Sequence, residues 1–308
     1  MQKTVLVYNP NSGRGKASER AIDFQEHWER KFGSGMVLRE TLSKADIRTA
    51  MQETYEDFEF QVVMGGDGTL SEALQGLSEL HKFQPLGKPI GVLPAGSGNS
   101  FLRDFGIKDY ATGRDRLISA VLSEKVRNID MGMISYLHPE SKERTRRVFC
   151  NIFGIGVIPY IAELAMKMRF MGSLNYTVAA LVKLFKHKYY TMDVVIDGVR
   201  ETLDFDFLSV CNSKYTGGAM LMATDVEVDD GKMYLVAPHM KSKMQILKLF
   251  PKIFKGTHLQ NKNVRHHFIN NLEVKVDDPL LLLIDGELEK GIKPILTIEP
   301  AFWKLYVS

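Results

Sequence analysis

The chain has 308 residues and sets 40 Lys and Arg against 37 Asp and Glu, a formal charge of only +3. With 44% hydrophobic and 25% charged residues it can bury sizeable cores, which excludes wholesale disorder, and its 25 Gly and 11 Pro follow no period, which excludes a collagenous or low-complexity chain. The length predicts about two domains, and the near-neutral total argues against a dedicated nucleic-acid binder.

From the start to residue 135, strand-like and helix-like runs alternate. Apolar strand runs fall at 4–8, 36–38, 60–64, 89–93 and 126–131, with helical runs at 16–32, 45–55, 70–80 and 113–123. This alternation predicts βαβ units, and hence an α/β N-terminal domain with a parallel sheet over residues 1–135. Beyond Tyr136 the texture becomes β-rich. A charged loop at 139–147 leads into a strand at 148–155, one long helix is expected over 160–187, and strands follow at 189–196, 205–211, 233–237, 272–276 and 280–284. Short turns such as Asp229-Asp230-Gly231 and Asp285-Gly286 predict a C-terminal β-sandwich domain over 136–295, with 296–308 returning to the first domain.

Two cysteines, Cys150 and Cys211, lie in apolar runs and read as buried reduced thiols rather than a disulfide framework. No signal peptide is evident, because Lys3 is followed at once by a strand-like run. The longest uncharged stretch, 148–162, is too short to span a bilayer and contains Gly154, Gly156 and Pro159. The expected location is therefore cytoplasmic, with any membrane contact peripheral.

Ligands of parallel α/β sheets bind beyond the carboxyl ends of the strands. Three such ends carry Gly-rich loops: Asn9-Pro10-Asn11-Ser12-Gly13-Arg14-Gly15-Lys16, Gly65-Gly66-Asp67-Gly68-Thr69 and Pro94-Ala95-Gly96-Ser97-Gly98-Asn99. Glycine in any one of them is explained by a tight turn, but three together predict a phosphate-binding cleft built from backbone N–H groups and helix N-termini. The common nucleotide signatures are absent. There is no P-loop, no dinucleotide G-x-G-x-x-G after the first strand, and no kinase catalytic loop to accompany Asp104-Phe105-Gly106. The acidic stretch 225–231 lacks the spacing of an EF-hand.

The remaining pattern resembles the diacylglycerol kinase-type lipid kinases, which include diacylglycerol, sphingosine and ceramide kinases and bacterial relatives. The matching residues, in order, are Asn9-Pro10…Gly13, Gly65-Gly66-Asp67-Gly68-Thr69, Leu93-Pro94-Ala95-Gly96-Ser97-Gly98-Asn99, Asn151…Gly154-Ile155-Gly156, Asn212…Gly217-Gly218, Asp229-Asp230-Gly231 and Ile284-Asp285-Gly286-Glu287. They extend from residue 8 to 287, nearly the whole chain. The Gly-Gly-Asp-Gly-Thr element alone is shared with NAD kinases.

The resemblance implies that ATP is held by Asn9, Pro10, Asn11, Ser12, Gly13, Thr41, Gly65, Gly66, Asp67, Gly68, Thr69, Leu70, Ser71, Gly96, Ser97, Gly98 and Asn99. Asp67 is expected to act through Mg²⁺ or to orient the acceptor hydroxyl; an Asx-turn or helix cap is the structural alternative. Glu287 is the implied general base with Asp285 its competitor, across an interdomain cleft, and Asp130 extends the acidic network. A plain hairpin turn is the alternative for that motif. Glu227, Asp230 and the Met233 carbonyl match a structural Mg²⁺ loop, although Thr224 stands where relatives often have Pro and Tyr234 where they often have Asp. Gly154-Ile155-Gly156-Val157-Ile158 likewise lacks the acid of Gly-x-Gly-Phe-Asp.

Residues 241–265 carry seven basic side chains and no acid, interleaved with Met244, Ile246, Leu247, Leu249, Phe250, Ile253 and Phe254. Together with Met166, Met168, Phe170 and Met171, and with Lys183, Lys186, His187 and Lys188, this segment predicts peripheral contact with an anionic membrane. The alternative is a pair of amphipathic helices packed on the sandwich with solvated lysines. His266-His267 reads as solvated surface. The resemblance implies a lipid alcohol substrate as partner; no nucleic acid is expected, and a homodimer stands as a further expectation. Two rival functions stand beside it: an NAD kinase-like small-molecule kinase and a nucleotide-regulated membrane-binding module without turnover.

Overall fold

Thr4–Tyr8 (β1) is buried at every position, as befits a strand paired on both edges and covered on both faces. In this computed structural model, which describes residues 3–95, 99–168, 175–186 and 189–307, the strand sits at the centre of a parallel sheet. Ala17–Phe32 (α1) buries Ala17, Ala21, Phe24 and Trp28 at helical spacing and stops at Gly33, whose φ is 62°. Met36–Glu40 (β2) precedes Lys44–Thr54 (α2), which opens with a capping box between Ser43 and Asp46. There follow Phe60–Gly65 (β3), Asp67–Leu80 (α3), Pro89–Pro94 (β4), Ser100–Arg103 (α4), Tyr110–Leu122 (α5) and Val126–Leu137 (β5). The parallel order is β4-β3-β1-β2, so the segments after β1, β3 and β4 leave neighbouring strands at one edge of the sheet. Phe24, Trp28, Phe60 and Leu117 belong to one core beneath them.

The second half is antiparallel. Arg144–Phe149 (β6) and Ile152–Gly156 (β7) lead to Val157–Lys167 (α6) and Asn175–Lys186 (α7). Tyr190–Ile196 (β8), Val199–Phe205 (β9), Phe207–Cys211 (β10), Tyr215–Thr216 (β11), Met220–Leu221 (β12) and Met233–Pro238 (β13) come next. Lys243–Ile253 (α8) and a 3₁₀ turn at Thr257–Gln260 then precede Val264–Ile269 (β14), Asn271–Lys275 (β15), Leu280–Ile284 (β16) and Glu287–Tyr306 (β17). One layer runs β14-β13-β10-β7-β16-β17, and β9-β8-β15 joins β17 to make the other. Phe153, Leu208, Leu235 and Leu282 of the first layer share a core with Val194, Leu203 and Leu272 of the second, which makes this half a sandwich. Phe207, Tyr234 and Val236, on the other face of the first layer, pack under α6, α7 and α8.

The chain divides into two compact units, Met1–Met131 with Pro300–Ser308, and Gly132–Glu299. The last part of β17 pairs in parallel with β4 through Lys304 and Leu305.

Three expected elements differ. The single strand at 148–155 is two strands, interrupted at Cys150-Asn151, and β6 starts inside the stretch expected as a loop. The long helix at 160–187 is replaced by α6 and α7, which pack against each other. Phe170, Met171, His187 and Lys188 lie outside the described residues. Both cysteines are buried and reduced. Among the described residues no helix is long and apolar enough to cross a membrane.

Candidate active site

The loop after β1 is shaped by its own side chains: Asn9 Oδ1 accepts the Asn11 N–H at 2.9 Å, and the Ser12 N–H donates to the Asn9 carbonyl at 2.9 Å. Pro10 lies between them. Gly13 follows with φ of 62°, and a methyl group there would collide with the Ala95 carbonyl oxygen of the third loop. Arg20, one turn into α1, donates from Nη1 to that same carbonyl at 3.1 Å. The first and third Gly-rich loops are therefore in direct contact.

The second loop is joined to the third as well. Ala95 N–H donates to the Gly65 carbonyl at 2.8 Å. Gly66 is the N-cap of α3, no described side chain caps this end, and Asp67, Gly68 and Thr69 form its first turn. Such a terminus offers N–H groups to an anion. The carboxylate of Asp67 accepts from two backbone groups at the start of α4, Ser100 N–H at 2.9 Å and Phe101 N–H at 3.1 Å. It thus caps a helix, though not its own. Leu70 and Ser71 are buried, and Ser71 Oγ has no hydrogen-bond partner among the described residues. Asn99 is buried in the left-handed region at φ of 43° at the N-cap position of α4, whose capping bonds come from Asp67, while Gly96, Ser97 and Gly98 lie outside the described residues.

Thr41, beyond β2, is buried, and both its N–H (2.9 Å) and its Oγ1 (3.1 Å) donate to the Tyr8 carbonyl. It fixes the loop more directly than it presents a hydroxyl. Asp130 is also buried and accepts the Ala301 N–H at 2.7 Å, tying down the returning segment.

In the second unit, Asp285 and Gly286 form the two-residue turn between β16 and β17, with φ of 49° and 91°. Two positive φ values are the signature of a type I′ hairpin, which an Asp-Gly pair favours. The turn does more than reverse the chain. Asp285 is 5% exposed and accepts N–H groups from Cys150 at 2.8 Å, Asn151 at 2.8 Å and Ile152 at 2.9 Å. Burial pushes its carboxyl up to about 6, against the opposing pull of those three N–H groups. This carboxylate also explains why the strand expected at 148–155 is broken: its N–H groups at 150–152 turn toward Asp285. Around it, Asn212 Nδ2 donates to the Cys150 carbonyl at 3.2 Å and Ser213 Oγ to Asn151 Oδ1 at 3.0 Å. Glu287, one residue past the turn, is only half-buried.

The loop that matches a Mg²⁺ site is held together by protein groups. Glu227 is ion-paired with Lys214 Nζ at 2.5 Å, and Asp230 accepts the N–H groups of Glu227 (3.2 Å) and Lys232 (2.9 Å). Met233 opens β13. Tyr234 donates to Asp225 at 3.3 Å and lies 2.7 Å from Nδ1 of His266. Lys214 supplies positive charge beside the acid that a cation would need, and no group of three acid, His or Cys side chains suited to a metal occurs among the described residues. These groups do not fit a Mg²⁺ cage.

The family model of the diacylglycerol kinase catalytic domain matches residues 3–134, and that of the YegS C-terminal NAD kinase beta sandwich-like domain matches residues 152–307. The chain belongs to the diacylglycerol kinase-type lipid kinase family. A Bacillus subtilis (strain 168) protein named diacylglycerol kinase is 23% identical over 291 residues, covering 93% of this chain and 90% of that protein. A protein of the same name from Mycobacterium tuberculosis (strain ATCC 25618 / H37Rv) is 29% identical over 270 residues, covering 84% and 80%. A crystal structure of a diacylglycerol kinase from Bacillus anthracis str. Sterne shares the fold with a TM-score of 0.72 at 15% identity, covering 100% of this chain and 97% of that one. Yeast NADH kinase complexed with NADH shares it more distantly, with a TM-score of 0.54 at 12% identity, covering 99% and 82%. Membership places the chain among kinases, which transfer phosphoryl groups. Two basic residues with contacts described above were not legible in the sequence. Arg20 is signalled only by being a basic residue one turn beyond a Gly-rich loop, and Lys214 only by following Asn212-Ser213.

Proposed function

We propose that the protein is an ATP-dependent lipid kinase, transferring the γ-phosphoryl group of Mg·ATP to the hydroxyl of a lipid alcohol such as a diacylglycerol or a sphingoid base. The observation that carries this reading is the joining of the Gly-rich segments after β1, β3 and β4 by Gly13, Arg20 and Asp67, beside the N-terminus of α3, which no described side chain caps. A phosphate chain needs such a cradle of N–H donors. Each Asp67 oxygen is held by one N–H and keeps lone-pair capacity for the hydrated Mg²⁺ that accompanies ATP. Of the two acids at the β16–β17 turn, Asp285 is committed to three N–H groups, so Glu287 is assigned the base. The acceptor oxygen attacks the γ-phosphorus, its proton passes to the Glu287 carboxylate, and the bond to ADP breaks. Asp285 acts as a positioning residue that fixes the turn carrying Glu287.

The test is incubation with γ-labelled ATP and vesicles containing a panel of lipid alcohols, with products identified by mass spectrometry. A labelled lipid that disappears with Asp67→Ala is expected. Label on soluble NAD without vesicles, or ATP binding without any product, overturns the reading.

A further inference from the structure

Most of the apolar residues of 241–265 are not available for insertion into a bilayer. Ile246, Leu249, Phe250 and Ile253 of α8 are buried in the core they share with α6 and α7. What α8 turns outward is the opposite stripe, Met244, Lys248 and Lys252, spaced by one helical turn and all exposed. Its neighbour α7 buries Ala180 and Leu184 in the same core and exposes Leu181 (46%) and Val182 (44%). On the other side of α7, α6 exposes Tyr160, and Lys183 Nζ lies 5.7 Å over that ring. The three helices therefore form one layer whose outer surface mixes exposed apolar side chains with lysines.

The charge on this layer has one sign. The three helices carry six lysines and one acid, Glu163, which is ion-paired with Lys167 at 3.3 Å. They contain no arginine, the residue that best grips a phosphodiester by two parallel hydrogen bonds. Lysines ringing exposed Leu, Val, Met and Tyr match a surface with anionic headgroups above a hydrocarbon layer better than they match nucleic acid.

We propose that the outer face of the α6–α7–α8 layer docks on an anionic lipid bilayer, with Leu181, Val182, Tyr160 and Met244 entering the headgroup boundary and Lys183, Lys248 and Lys252 meeting the headgroups. This extends the lipid-kinase reading, on which it rests for its biological sense, but the contact itself is measured without catalysis. It keeps both stretches of the sequence-based expectation and changes the side chains that make the contact, because α8 buries Ile246, Leu249, Phe250 and Ile253.

The test is co-sedimentation of the full chain, without nucleotide, with vesicles of phosphatidylcholine alone or mixed with phosphatidylglycerol. Binding is expected only with the anionic lipid and should weaken with salt. Lys248→Gln with Lys252→Gln should lower affinity about thirtyfold, at about one headgroup contact per lysine. Leu181→Ser with Val182→Ser should lower it about tenfold or more with only a small change in Tm, since both side chains are about half exposed. Full binding by the Leu181/Val182 pair variant, or binding to RNA with none to vesicles, overturns the proposal. Vesicle binding that obeys these variants while no lipid is ever phosphorylated supports this surface and removes the lipid-kinase reading instead.

Discussion

Asp67 and Ser100 are joined across two Gly-rich loops: a carboxylate oxygen on the first residue of α3 accepts the N–H of the first residue of α4 at 2.9 Å. The acid expected to serve the phosphates also caps the short helix that follows the third Gly-rich segment. Asp67→Asn keeps one acceptor and loses the charge, so it should cost under about 1 kcal/mol of stability while phosphoryl transfer falls about a hundredfold or more. Thermal unfolding and initial rates separate the two effects. Near-normal turnover by the Asn variant would leave Asp67 with capping alone.

Asp285 and Glu287 should respond in opposite ways. Asp285→Asn places an amide against three buried N–H donors and should cost about 1–3 kcal/mol, measured by denaturant unfolding. Glu287→Gln lies on a half-buried strand position and should leave stability nearly unchanged while kcat drops about 10²–10⁴-fold. A fully active Gln variant sinks the base assignment.

The contact between Gly13 and Ala95 predicts the effect of Gly13→Ala. A left-handed φ of 62° and a backbone oxygen in the way should together cost about 1–3 kcal/mol, with a raised KM for the nucleotide. Unchanged KM would mean that the first loop tolerates movement away from the third.

His258 predicts a pH dependence. It is completely buried, Nε2 lies 3.1 Å from the Met222 carbonyl, and burial holds its pKa down at about 4. Between about pH 6.5 and 4 the unfolded chain takes up a proton that the folded chain refuses, so stability falls as pH is lowered through that window. The raised carboxyl of Asp285 acts in the opposite sense below about 6, its stabilisation fading as pH rises, so the comparison must be with a variant. Wild type should lose up to about 3 kcal/mol relative to His258→Gln on going from pH 7 to 4. Parallel pH profiles for the two proteins contradict the assignment.

Lys214 and Glu227 make the last prediction. Because the loop is closed by an ion pair and by the backbone bonds of Asp230, EDTA or added Mg²⁺ should shift the Tm of the nucleotide-free protein by less than about 1 °C. Lys214→Met should lower Tm. A rise of several degrees on adding Mg²⁺ to the wild-type protein would restore a metal to this loop.

Most of the N-terminal half was legible because β1, β3 and β4 are apolar runs and α1 has its own period, so local pattern and tertiary role agree there, whereas the four-residue α4 is too short to show one. The sandwich was read less well for physical reasons. β9 carries Arg200, Thr202 and Asp204 on its solvent side and β14 carries two histidines, so neither has an apolar run to announce it. The break at Cys150-Asn151 is imposed by Asp285, 133–135 residues later, and no window of local sequence contains both. The amphipathic stripe of α8 was visible, but its direction was not: periodicity reveals that a face is apolar without saying whether protein or lipid covers it.

Phe302 and Trp303 are completely buried, and Lys304 and Leu305 complete the edge of β4. These residues belong to the unit that begins at Met1, yet all of Gly132–Glu299 precedes them in the chain. On the ribosome, the unit started first is finished last. Until residue 305 has emerged, β4 presents an unpaired edge and the unit lacks two buried aromatic side chains, so a nascent chain paused anywhere in the sandwich carries a half-built α/β unit open to aggregation or chaperones.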